Sequence, residues 1–104
     1  MVKVTYVKAQ IMFYEHERGG RPFVPIRDGY APYLRVEDST VDLPVRVIGM
    51  PLNGRFGVAH QVELELMYPS KLDYGTLVEG CGFKVVEGPK IVGEGVVLSS
   101  AYER

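Results

Sequence analysis

The sequence holds few of the residues that small folds use as staples or switches. One cysteine, Cys81, stands among 104 residues, so no internal disulfide is expected and no oxidising compartment is required. Tryptophan is absent. No stretch approaches the roughly 18 apolar residues of a membrane-spanning helix. The opening Met1-Val2-Lys3-Val4-Thr5-Tyr6 alternates and lacks the continuous apolar centre of a signal peptide, so the cytoplasm is the expected location. Neither charge sign dominates: 12 Lys and Arg face 13 Asp and Glu, for a net charge of −1. No long-range positive field draws in nucleic acid, and RNA binding would need a local patch.

Catalytic constellations are also missing. No Gly-x-x-x-x-Gly-Lys-Ser/Thr segment occurs, so no backbone cradle for phosphates is expected and no nucleotide is bound by this chain. The closest glycine spacings, Gly75 to Gly80 and Gly88 to Gly93, lack the Lys-Ser/Thr. His16 and His60 are far apart and have no second pair at ligand spacing, which argues against a metal. Ser39, Ser70, Ser99 and Ser100 fall in turns or near the end, outside any nucleophile motif. Cys81 lies between two glycines in an expected strand and reads as a small buried apolar residue. Glu63 and Glu65 share one face of an alternating strand, the pattern of a solvent face rather than of a catalytic carboxyl pair. The expectation is a chain that is not an enzyme and carries no cofactor.

Apolar residues make up 46% of the chain and charged residues 24%, the balance of a folded domain rather than a disordered tail. The length suits a single domain over 1–104. Twelve glycines and seven prolines punctuate short runs of β-branched and aromatic residues, and no long segment keeps a helical period. Val62-Glu63-Leu64-Glu65-Leu66 alternates strictly. In the first strand Thr5, Val7, Ala9, Ile11 and Phe13 share one face, and Val4, Tyr6, Lys8, Gln10 and Met12 make a mixed second face that implies partial covering. Six strands are expected, over Lys3–Tyr14, Tyr33–Glu37, Val41–Ile48, Val58–Tyr68, Gly75–Val86 and Ile91–Ser99. Pro44 cannot donate to a ladder and is expected at an edge or a bulge. Such a series of short antiparallel strands makes a closed barrel or a small sandwich.

Three segments carry a resemblance: Gly19-Gly20-Arg21-Pro22-Phe23, Gly29-Tyr30-Ala31-Pro32-Tyr33, and Glu87-Gly88-Pro89-Lys90 followed by Val92-Gly93-Glu94-Gly95-Val96-Val97. Their order and spacing resemble the C-terminal β-barrel domain of elongation factor Tu, the GTPase that delivers aminoacyl-tRNA, over roughly Lys3 to Ser99. In that family the segments read Gly-Gly-Arg, Gly-Tyr-Arg-Pro and Glu-Gly-Gly-Arg-Thr-Val-Gly-Ala-Gly-Val-Val. The resemblance implies an all-β fold, a closed six-stranded antiparallel barrel, here as a stand-alone copy without the GTPase. Pro22 and Phe23 replace the family's His-Thr, Ala31 its Arg, Tyr33 a tRNA-contacting Gln, and Lys90 an Arg.

By that resemblance Arg21, Tyr30, Tyr33, Glu87, Gly88 and Lys90 form the candidate surface for RNA or a partner. Each residue has a plainer reading beside it. Tyr30 also suits a ring tucked into the core, and Gly93 and Gly95 suit tight closure of the last strand. The basic residues Arg21, Arg27, Arg35, Lys84 and Lys90 are interleaved with Glu37, Asp38, Glu79 and Glu87. Near-neutral charge and loss of the tRNA-contacting Gln and Arg favour a non-catalytic module that meets a protein, such as a GTPase or translation component. The alternative is a tRNA-binding module of translation elongation.

Overall fold

A computed structural model describes residues 4–14, 29–50 and 56–103. These residues hold no helix and form a closed barrel of six antiparallel strands: β1 (Thr5–Phe13), β2 (Tyr33–Val36), β3 (Asp42–Ile48), β4 (Ala59–Leu66), β5 (Gly82–Glu87) and β6 (Lys90–Val97). Around the wall the order is β1, β4, β3, β2, β5, β6 and back to β1. Every pairing is antiparallel. A seventh strand of two residues, β7 (Tyr102–Glu103), pairs with Thr5 and Tyr6 of β1, beyond the reach of β6. Closure pairs both sides of all six wall strands, which removes the exposed edges that invite aggregation.

The alternation read from the sequence sets the inside and the outside. Val7, Ala9, Ile11 and Phe13 of β1 are fully buried, while Lys8 and Gln10 between them are exposed. Val62, Leu64 and Leu66 of β4 point the same way, leaving Glu63 and Glu65 on the outer face. Each fully buried Val, Leu or Ile contributes about 1.5–3 kcal/mol, and among the described residues no polar or charged residue is buried. Closure of β6 onto β1 depends on Gly93 and Gly95. A Cβ on Gly93 would stand 2.5 Å from the Met12 carbonyl oxygen, and one on Gly95 would strike the Phe83 ring and the Gln10 carbonyl.

Three expectations are corrected. Residues 75–81 do not belong to β5: they form turns and irregular chain from which Leu77 enters the core, next to Tyr74 just ahead of them, so apolar content there reflects burial without strand pairing. Cys81 therefore precedes β5, and it is half-buried against the core rather than fully buried. Pro44 marks neither an edge nor a bulge, because β3 runs between β4 and β2. Its missing N–H faces β4 just past the last β3–β4 pair, Val45–Leu66, where the Met67 amide still donates to the Pro44 carbonyl and the reciprocal bond is absent. The bulge lies elsewhere: Val85 pairs with Gly93 but Val86 with Ile91, which leaves Val92 as the extra residue of β6.

Candidate functional site

Five of the six candidate residues meet at one end of the barrel, and Arg21 lies outside the described residues. Tyr33 opens β2 and pairs with Val86 of β5. Glu87 closes β5 and pairs with Lys90, the first residue of β6. Between them Gly88 takes φ +61, the left-handed conformation that a two-residue connection needs when proline follows. Tyr30 precedes β2, and its hydroxyl donates to the Glu87 carboxylate. Its ring packs edge-on against Phe13, with centroids 5.7 Å apart and planes at 68°. Tyr30 is thus both a core-packing ring and a bonded member of the candidate site.

The register adds residues that the sequence did not single out. Tyr33 pairs with Pro44 on one side and Val86 on the other, and Val86 pairs with Ile91. Paired residues of an antiparallel ladder share a face. Tyr33 faces outward, since Leu34 and Val36 point in, so Pro44, Tyr33, Val86 and Ile91 form one outer apolar row across β3, β2, β5 and β6. Tyr33 is 46% exposed and Ile91 41%, with Val86 buried between them. The sequence signalled the outward side of each strand but not which residues stand side by side.

The next outer row is charged and self-compensating. The Arg35 guanidinium meets the Asp42 carboxylate at 2.8 and 3.1 Å, and this ion pair holds Arg35 above its ordinary pKa. Lys84 lies 3.8 Å from Glu94, which also accepts the Tyr14 hydroxyl at 2.8 Å. The Lys84 ammonium stands 3.4 Å from the same hydroxyl, which together with Glu94 raises its pKa. Two of the five candidate phosphate contacts are therefore committed to carboxylates, and Arg21 and Arg27 lie outside the described residues. Lys90 faces Glu87 across the hairpin, so the tip pairs opposite charges.

The remaining chemical candidates stay apart. Glu63 accepts the Tyr102 hydroxyl and Glu65 lies 3.5 Å from Arg46, both on the outer wall of β4. His60 is half-buried near the start of β4. Among the described residues no group of three or more His, Cys, Asp or Glu is placed to hold a metal ion. Among them, too, no helix is long and apolar enough to cross a membrane. Comparison with protein-family models gives no match, and comparison with curated proteins gives no significant match.

Proposed function

We propose that this chain is a non-catalytic binding module whose partner is a protein, engaged through the exposed Tyr33 and Ile91 that flank Val86 in the outer row. The single observation that carries the reading is that row. A half-exposed tyrosine and isoleucine flank a buried valine, with Glu87 and Lys90 at the border. Protein interfaces share this anatomy of an apolar, aromatic centre with a polar rim. The adjoining charges support the same partner class. A phosphate-binding face needs several uncompensated cations together, whereas Arg35 and Lys84 are paired with Asp42 and Glu94.

The resemblance to the elongation factor Tu barrel narrows the partner to a GTPase or a translation component, and with it the location to the cytoplasm. The same resemblance, through Glu87, Gly88 and Lys90, sustains the second reading, a tRNA contact. The two readings part in one experiment. A benzoylphenylalanine replaces Tyr33, and in a control Gln61, which is exposed on β4 across the barrel from β5. Irradiation in growing cells is expected to join Tyr33→benzoylphenylalanine to one defined protein and to leave the Gln61 control unlinked. Crosslinks to RNA, or equal labelling from both positions, would overturn the protein reading.

A further inference from the structure

We infer that Tyr30 is a positioning residue, whose hydroxyl holds the tip of the β5–β6 hairpin in place beside Tyr33. The inference rests on the proposed binding surface and says what gives that surface its shape.

The hairpin tip is weakly attached through its own ladder. The bulge at Val92 interrupts the β5–β6 register, so only the pairs Val86–Ile91 and Glu87–Lys90 lie beyond it. A bulge bends its strand and increases the local twist. Val86 beyond it is still held by Tyr33 of β2, so Glu87–Lys90 is the pair that extends past both the regular β5–β6 ladder and the β2–β5 ladder. Ile91 and Lys90 lie in this outer part, and Tyr33 lies in β2. Ile91 is placed beside Tyr33 through their shared neighbour Val86, whereas the position of Lys90 depends on what holds Glu87.

Tyr30 is built to do so. Its backbone is fixed to β3: the Val47 amide donates to the Tyr30 carbonyl at 2.7 Å, and the Gly29 amide to the Val47 carbonyl at 2.8 Å. Its ring is fixed to β1 through Phe13. From that double anchorage the hydroxyl reaches the Glu87 carboxylate, the last side chain of β5 before the turn. A charge-assisted hydrogen bond is about twice as strong as a neutral one and is directional. One residue thus joins β3 through its backbone, and β1 and the hairpin tip through its side chain, on the far side of the bulge from the regular ladder. Phenylalanine would keep the ring contact and lose the tie, and this separates positioning from packing.

The test needs no partner. In Tyr30→Phe, the Lys90 amide is expected to exchange with solvent on the order of tenfold faster, the loss of one hydrogen bond to a charged group. The Gly88 and Lys90 cross-peaks should shift, while the Val45 and Val62 amides stay in place. Glu87→Gln retains an acceptor and should keep the tip ordered. Glu87→Ala should reproduce Tyr30→Phe, and the double variant should go no further. Unchanged Lys90 exchange in Tyr30→Phe, or additive effects in the double variant, would overturn the inference. A rigid tip in Tyr30→Phe together with specific crosslinking at position 33 would sink the positioning role and leave the surface standing. A loosened tip without specific crosslinking would do the reverse.

Discussion

The Tyr74 hydroxyl donates to the Pro44 carbonyl at 2.7 Å and accepts the Tyr68 amide at 3.3 Å. It thereby bridges β3 to the turn that follows β4, at the point where Pro44 has no N–H to offer. The Met67 amide reaches the same Pro44 carbonyl at only 3.4 Å, so the tyrosine supplies the better bond. Tyr74 itself is nearly buried and belongs to the core. Its ring closes the barrel end while its hydroxyl satisfies backbone groups that the ladder leaves over.

Tyr74→Phe keeps the ring and removes the bridge. Stability should fall by about 1 kcal/mol, the net worth of a typical buried hydrogen bond, and by up to about 2 if the Tyr68 amide is left without a partner. Urea denaturation should show a lower midpoint at an unchanged slope, because the fold and its exposed area on unfolding are the same. An unchanged midpoint would show that solvent replaces the bridge without loss.

Alkaline pH should weaken the fold. Burial raises the pKa of Tyr74 above the ordinary 10.0. Burial, together with the bond to Glu94, does the same for Tyr14. Each folded-state pKa then exceeds its unfolded value, so between the two the folded chain binds more protons. Stability from these groups is fully present below about pH 10 and is lost as pH rises through the folded values. Denaturation midpoints should therefore be level from pH 8 to 9 and decline above about pH 10. The decline should be shallower in Tyr74→Phe. A midpoint that rises above pH 10 would contradict the burial of both phenols.

Two glycines of the β5–β6 wall should respond in opposite ways to one methyl group. In Gly95→Ala the new carbon would stand 2.5 Å from the Phe83 ring, against a β1 backbone that cannot recede without opening the barrel. The loss should be about 3 kcal/mol or more, the upper range for overpacking. In Gly82→Ala the nearest atom is a Glu37 carboxylate oxygen at 3.5 Å, an ordinary contact on a mobile side chain. Since alanine loses less backbone entropy than glycine, that variant should be neutral or more stable by about 0.5 kcal/mol. Equal effects at the two positions would refute the account of closure given by Gly93 and Gly95.

The sequence carried the faces of the strands further than their neighbours. Alternation in Thr5–Phe13 and Val62–Leu66 is a local signal, and both strands lie where it places them. The fifth strand was misplaced at its start because Leu77 is buried from an irregular segment, and burial without pairing looks like a strand in sequence. Tyr102–Glu103 is too short to leave a period at all. At the candidate site, Gly88 between Glu87 and Lys90 signalled a turn locally. The row joining Tyr33 to Val86 and Ile91 depends on register, and on a bulge at Val92 that no single residue announces. Tyr30 was legible as a core ring or a surface residue, and the hydrogen bond to Glu87 shows why those two readings were not alternatives.

The hairpin tip gives the last expectation, which bears on the tRNA reading. Lys90 is exposed and faces Glu87, so a phosphate approaching it also approaches a carboxylate. With Arg35 and Lys84 already paired, labelled tRNA should remain unshifted by the wild-type chain at physiological salt. Lys90→Ala should change stability by no more than roughly 0.5 kcal/mol, since an exposed turn lysine carries little of the fold. The contrary result is equally definite. If tRNA is retarded and Lys90→Ala lowers the slope of log affinity against log salt by about one, one phosphate contact has been removed. Lys90 would then be a nucleic-acid contact despite its acidic neighbour, and the protein-binding reading of this end of the barrel would give way to the RNA one.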